Sequence, residues 1–367
     1  MRFRISKEAF LRGLAPVQSV VETRKTLPVL SHVIIEAEPG RVSMFGTDLD
    51  VGVTSRLSTE VARPGSVAVS ARRLYDIARE LPDAEIEIES QEDFTVAIRA
   101  DRSRFRIKGI SKEEFPAPPE IKETRRLTLP KRTFRTMARR TIIAVSSDQT
   151  RYTLNGVLLQ VRTDDVRAVA TDGHRLALAK AARQGNAEAI GMEALIPKKA
   201  VSEALKILRD DEGELVLRLG ENQLVIEDEQ YTLTTRLIEG QFPNYEQVLP
   251  GEGLTFVEVA REALAGAMRR ASAILADRAA PTVFELKPGK LTVSCENLDL
   301  GNSQEELDVE YAGGEVRLGL NGRYVLEFLG VADTDQVAAG IGDALSPTVF
   351  QPAGDGTYLC VIMPMRL

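Results

Sequence analysis

Three short landmarks recur along this chain at a spacing near 125 residues, and a chain that repeats at that interval must fold as a tandem of like units. The first is a polar turn after an apolar strand: Phe45-Gly46-Thr47-Asp48, Ala170-Thr171-Asp172-Gly173 and Cys295-Glu296-Asn297. Asp48, Asp172 and Asn297 stand 124 and 125 residues apart. The second landmark opens a helix at Ser70, Pro197 and Asn321, at steps of 127 and 124. The third is an aromatic entering a late strand, Phe105, Tyr231 and Tyr358, at steps of 126 and 127. Phe115-Pro116 and Phe242-Pro243, 127 apart, mark two of the copies again. Three copies fill the 367 residues. Pro-rich or Gly-rich stretches near 115–119 and 249–253 set the expected boundaries, giving domains 1–122, 123–249 and 250–367.

Each copy reads alike. A helix-period stretch comes first, over 7–20, 131–145 and 261–275. Alternating strands follow, such as 33–37 and 157–161. A second helix is expected over 71–81, 198–208 and 322–330, and short strands such as 85–89 and 215–219 close the unit. Two helices packed on antiparallel sheet make an α+β architecture, three similar domains in tandem.

Composition narrows the class. Hydrophobic residues are 43% and charged residues 28%, ordinary for a soluble globular protein. No run approaches the ~18 apolar residues of a membrane span. The opening MRFRISKEAF breaks its apolar run at once, unlike a secretion signal. Cys295 and Cys360 are the only cysteines, which fits a reducing cytoplasm better than a disulfide framework. With two cysteines and two histidines, His32 and His174, no zinc site is expected, and no cofactor motif stands out. No GxxxxGK[ST] loop occurs, so any ATP use belongs to another protein.

The net charge of −7 argues against a nucleic-acid partner until its distribution is considered. Counted over 7–20, 70–81, 130–146, 197–209, 260–277 and 321–330, the six expected helices and their flanks hold eighteen basic residues against seven acidic ones, leaving −18 for the rest of the chain. Helices favour Glu as readily as Lys or Arg, so this is a segregation of sign by element. In the richest helix, Arg132, Arg135, Arg139 and Arg140 recur at helical spacing and are expected on one face. A basic helical surface on an acidic body holds duplex DNA loosely while the exterior repels it.

Thr171-Asp172-Gly173-His174-Arg175 has the look of a catalytic or phosphate-binding turn. The repeat divides it. Asp48 and Asn297 occupy the place of Asp172 in the sister copies, where a side-chain bond to the turn backbone is the simplest role. His174 and Arg175 have no counterpart, the sisters carrying Leu49-Asp50 and Leu298-Asp299. The terminal Met363-Pro364-Met365-Arg366-Leu367 also departs from the repeat, and methionines suit a surface that accepts varied apolar partners.

These residues, with Thr26-Leu27-Pro28-Val29-Leu30, Gly46-Thr47-Asp48-Leu49, Arg151-Tyr152-Thr153-Leu154-Asn155-Gly156, Asp172-Gly173-His174-Arg175-Leu176-Ala177 and Gly240-Gln241-Phe242-Pro243-Asn244-Tyr245, closely resemble the bacterial sliding clamps, the beta subunits of DNA polymerase III, over the full length. The resemblance implies the DNA clamp fold and a head-to-tail homodimer closed as a ring around double-stranded DNA. Its partners would be the replicative polymerase, the clamp loader and other proteins with a clamp-binding motif. It implies a peptide-binding pocket of Leu154, Thr171, Gly173, His174, Arg175, Leu176, Pro243, Val248, Val361, Met363, Pro364, Met365 and Arg366, flanked by Tyr152, Asn321, Tyr324 and Leu345. Thr153 and Gln247 depart from the family, which often has an aromatic and a basic residue there. Candidates for DNA contact are Arg24, Arg72, Arg73, Arg135, Arg139, Lys198 and Lys199, and for the dimer interface Phe105, Ile274 and Leu275.

Helix spacing supports the dimer separately. Six helices about 10 Å apart would line a hole near 9 Å, too narrow for a duplex roughly 20 Å across. Twelve leave about 28 Å, so two chains suffice if a heterologous interface closes. No catalytic constellation is evident, and the chain is read as a non-enzymatic processivity factor. The alternatives are a hydrolase or phosphate-binding enzyme using Asp172 and His174, and a protein that grips DNA locally.

Overall fold

The computed structural model describes residues 1–21, 27–116, 121–183, 187–208, 212–249, 251, 253–275 and 280–367. One order of elements appears three times. The first copy runs β1 (Arg2–Ser6), α1 (Lys7–Val20), β2 (His32–Glu38), β3 (Arg41–Thr47), β4 (Val51–Ser58), a short additional β5 (Val61–Arg63), β6 (Gly65–Ser70), α2 (Ala71–Glu80), β7 (Glu85–Ser90), β8 (Thr95–Ala100) and β9 (Ser103–Ile110). The second runs β10 (Arg125–Pro130), α3 (Lys131–Ile142), β11 (Gly156–Val161), β12 (Asp165–Thr171), β13 (Arg175–Ala182), β14 (Glu193–Pro197), α4 (Lys198–Ile207), β15 (Glu214–Leu219), β16 (Gln223–Glu227) and β17 (Tyr231–Arg236). The third runs β18 (Thr255–Ala260), α5 (Arg261–Ala271), β19 (Pro281–Lys287), β20 (Lys290–Asn297), β21 (Gly301–Asp308), β22 (Val316–Asn321), α6 (Gly322–Leu329), β23 (Gln336–Ile341), β24 (Thr348–Pro352) and β25 (Tyr358–Ile362).

All six helices begin at the residue the pattern indicates. Ser6, Ser70 and Asn321 cap α1, α2 and α6 by accepting a backbone N–H with the side chain. α3 ends three residues earlier than expected. The Thr141 hydroxyl bonds back to the Met137 carbonyl, and Ala144 N–H closes a tighter turn on Thr141. No helix among the described residues is long and apolar enough to cross a membrane.

The chain forms two compact units, residues 1–134, 184–189 and 199–237, and residues 135–183, 190–198 and 238–367. In the first, thirteen strands make one sheet in the order β10-β15-β16-β17-β4-β3-β2-β6-β9-β8-β7-β1-β5. Helix α1 buries Phe10, Leu14, Val17 and Val20, each worth about 1.5–3 kcal/mol of transfer free energy. Gly13 lets it lie close to the sheet, because a Cβ there would stand 2.7 Å from Leu57 Cδ1 and 2.8 Å from Met44 Cε. In the second unit the sheets are β14-β11-β12-β13-β25-β24-β23-β18 and β21-β20-β19-β22.

Both large sheets contain the same joint. β17, the last strand of the second copy, pairs antiparallel with β4 of the first, Leu233 opposite Val53. β25, the last strand of the third copy, pairs with β13 of the second, Cys360 opposite Ala177. Main-chain hydrogen bonds thus run from one copy into the next.

The recurrent polar turn is held by one side-chain hydrogen-bond pattern in all three copies. Asp48 Oδ1 accepts the N–H groups of Asp50 and Val51 at 3.1 and 2.7 Å. Asp172 Oδ1 accepts those of His174 and Arg175 at 2.9 and 3.0 Å, and Asn297 Oδ1 those of Asp299 and Leu300 at 3.0 and 3.1 Å. These bonds correct the expected alignment by one residue. His174 matches Asp50 and Asp299, and Arg175 matches Val51 and Leu300. The aromatic landmark also shifts. Tyr231 and Tyr358 open their strands, whereas strand register sets Phe105 level with Leu233 and Cys360, two residues on.

In the first two copies the residue after the carboxylate adopts the left-handed conformation, which Leu298 in the third does not. Gly173 takes it at φ +88°, but the first copy places Leu49 there at φ +80°. A side chain in that region costs about 1–2 kcal/mol, partly offset by glycine's greater entropy loss of about 0.5–1 kcal/mol. Leu49→Gly should therefore raise stability by a few tenths to about 1 kcal/mol, and Gly173→Leu should lower it by about 1 kcal/mol or more. Urea unfolding midpoints of the two variants, moving in opposite directions, would check this.

Candidate functional site

In the second unit the pairing of β13 with β25 sets Leu176 opposite Val361 and fixes the chain end beside the Asp172 turn. Met363 N–H bonds to the His174 carbonyl at 2.9 Å, and Met365 N–H to the Gly319 carbonyl at 2.8 Å. Below lies a buried cluster including Leu158, Val169, Leu178, Leu195, Phe242 and Val349. Its surface opens as an apolar pocket of about 160 Å³. Nine of the expected residues line it: Leu154, Thr171, Gly173, Arg175, Leu176, Pro243, Val248, Val361 and Met363. Asn244 and Tyr245 line it too, and the sequence reading did not include them in the pocket. Tyr245 is anchored by donating to Gln160 Oε1 at 2.9 Å and accepting from Arg162 at 3.2 Å, partners no local motif reveals.

A second, polar cavity of about 530 Å³ adjoins it, and His174 and Tyr324 lie there. Arg175 lines both. This buried guanidinium donates to Asp172 Oδ2 at 3.1 Å and to the Ile143 carbonyl, stands 2.5 Å from Glu327, and covers the Tyr324 ring 4.1 Å from its centroid. Burial, followed by the Asp172 charge, holds the Tyr324 hydroxyl above its usual range. The remaining expected residues stand outside both cavities. Tyr152 and Leu345 are exposed, Leu345 at 84%. Asn321 is occupied in capping α6. Pro364, Met365 and Arg366 continue past the pocket along the chain end.

The basic candidates divide. Arg72 and Arg73 are exposed in the first turn of α2, and Lys198 is exposed at the start of α4. Arg139 is paired with Asp333, and Lys199 with Asp48. Arg135 is half-buried on α3, and Arg24 lies outside the described residues. Arg140 does not share the face of Arg132 and Arg139 as the spacing suggested. It is buried, 3.0 Å from Asp355, with its guanidinium over the Tyr358 ring. Phe105 is 40% exposed on β9, and Ile274 belongs to a short turn (Ser272–Ile274) packed against β21, followed by the half-buried Leu275.

Burial pushes the Cys360 thiol up to about 12, so it stays protonated at neutral pH. Among the described residues no group of three His, Cys, Asp or Glu side chains could hold a metal ion. Removing Arg175 strands the half-buried carboxylates it neutralises. Arg175→Ala should cost about 2–4 kcal/mol in urea unfolding, and Arg175→Met, which refills the volume, should cost less than half as much.

Comparison with known proteins accounts for this architecture. Family models of the DNA polymerase III beta subunit match in order: the N-terminal domain over residues 1–119, the central domain over 128–244 and the C-terminal domain over 246–366. The beta sliding clamp of Pseudomonas putida is 36% identical over 369 residues, with 100% of both chains covered. The solved DNA polymerase sliding clamp of Pseudomonas aeruginosa superposes with a TM-score of 0.93 at 35% identity over 100% of both chains. That of Bacillus subtilis gives 0.93 at 27% identity, covering 100% of this chain and 99% of the other. With three tandem clamp domains, a repeated strand joint and full-length relatives of the same build, the chain belongs to the DNA polymerase III beta subunit family, the beta sliding clamps.

Proposed function

We propose that two copies of this chain, each with domains 1–122, 123–249 and 250–367, close head to tail into a ring that encircles duplex DNA and holds the replicative polymerase to it. The observation that carries this reading is the strand joint. It occurs twice within the chain, and a third instance lacks a partner on each side. β21 corresponds to β4 and β13, yet among the described residues it ends its sheet with no strand on its outer edge. β9 corresponds to β17 and β25, yet among the described residues it pairs beyond β8 only at Gly109 and Ile110, with β6. Leu300, matching the buried Val51 and Arg175, is 66% exposed, and nearby Leu298 is 97% exposed. A partner's β9 would cover them.

Charge favours the same pairing. β9 carries Arg104, Arg106 and Lys108 and no acid, while β21 carries Glu305, Glu306 and Asp308 and no base. Transferring the register of the two internal joints sets Phe105 opposite Asn302 of the partner subunit and Ser103 opposite Gln304 of the partner subunit. Ile274 and Leu275, beside β21, would pack near Phe105. A chain carrying Ser103→Cys and Gln304→Cys should cross-link under mild oxidation to twice its 40.3 kDa, and neither single variant should. A cross-link in a single variant, or none in the double, would overturn the joint.

Arg72, Arg73, Arg135, Arg139, Lys198 and Lys199, with Arg24, would present a positive inner surface to the phosphates without reading sequence. The apolar pocket would take a linear segment of the polymerase, the clamp loader or another partner. Two buried apolar anchors contribute about 1.5–3 kcal/mol each, and ordering costs hold the affinity near the micromolar range. We read the chain as non-enzymatic. Asp172 is occupied by its turn and by Arg175, and among the described residues the His174 ring makes no hydrogen bond to a hydroxyl or thiol.

The decisive experiment is to load the protein onto nicked circular DNA with a clamp loader, raise the salt, and cut the circle. Co-elution with circles and release on cutting would establish enclosure. Retention on linear DNA with unblocked ends would point instead to a local grip.

A further inference from the structure

Beside the joint between β4 and β17, in the first unit, lies a cavity of about 410 Å³ that neither the peptide pocket nor the ring closure uses. Three arginines line it: Arg12 from α1, Arg41 from β3 and Arg56 from β4. Arg12 Nε is buried with no hydrogen-bond partner, and Arg12 has no ion pair among the described residues. Arg56 donates to the Thr232 hydroxyl at 2.8 Å, which holds its guanidinium in place but leaves its charge unpaired. Arg41 is paired with Glu38. Among the described residues the only acid lining the cavity is Glu229, itself exposed. The Arg12 and Arg56 guanidinium charges therefore lack a counter-ion among the described residues.

The internal repeat shows that the fold does not demand this. The matching positions are Thr136, Asp165 and Lys180 in the second copy and Gly266, Lys290 and Glu305 in the third, so each carries one acid and one base. Only the first copy carries three bases. Arginine forks bind planar or tetrahedral oxyanions by paired N–H donors, and an uncompensated cluster of them in a recess is suited to a phosphoryl group. We infer that the Arg12–Arg41–Arg56 cavity is a binding site for a phosphoryl group, carried either by a free nucleotide or by the backbone of DNA.

Equilibrium dialysis of the full chain against labelled inorganic phosphate at low ionic strength tests this. One saturable phosphate per chain is expected. The Arg12→Gln/Arg56→Gln variant should weaken it at least tenfold, while Arg79→Gln, which removes an exposed arginine paired with Glu80, should leave it unchanged. Far-UV circular dichroism confirms that the variants fold. If the double variant does not, Arg12→Lys and Arg56→Lys keep the charge, lose the fork, and should still weaken binding several-fold. Absence of a saturable site, or equal binding by the arginine variants, overturns the assignment. A nucleoside monophosphate and a short duplex, added as competitors, separate the two sources. Displacement by either supports the site and names its source. Displacement by neither reduces it to an adventitious ion only and overturns the inference.

Discussion

Everything in this chain depends on the willingness of one strand edge to accept another. Each clamp domain leaves two edges open, the outer side of its fourth strand and that of its last. Inside the chain these edges satisfy one another, β4 with β17 and β13 with β25. Backbone N–H and C=O groups at an edge need partners, and the regular ladder of an antiparallel pair supplies them in one register only. The joint is therefore both adhesive and ruler. It fixes where the Asp172 turn meets the end of β25, and that meeting creates the apolar pocket.

The repeat made much of this legible before any coordinates. Helix starts are encoded locally, by Ser70 and Asn321 as caps and by apolar spacing, and they fell where the pattern put them. Asp172 was readable as a turn former because Asp48 and Asn297 repeat it, and its hydrogen bonds are of that kind in all three copies. Errors came where side chains look alike from outside. Matching aromatics by spacing shifted Phe105 by two residues, because connections such as that from the second helix to the next strand differ in length between copies while ladder register does not. Arg140 was placed on a solvated helical face, but Asp355 and the Tyr358 ring draw it inward from segments more than two hundred residues away. Charge pairs at that range leave no local trace.

The pocket was legible in its apolar floor and less so in its electrostatics. Leu154, Leu176, Val361 and Met363 are apolar residues at strand ends, where a pattern can find them. That Arg175 is buried, held between a carboxylate of its own turn and one on α6, follows only from the joint that brings α6 near. Its counterparts Val51 and Leu300 are aliphatic, so the charge is an addition to the shared scaffold.

The charges on β9 and β21 have a consequence for direction. A basic edge repels another basic edge, and an acidic edge another acidic one, so like edges do not associate. Only a basic edge against an acidic edge remains, and that contact gives each protomer a leading end and a trailing end. In a ring closed that way every protomer circulates in the same sense.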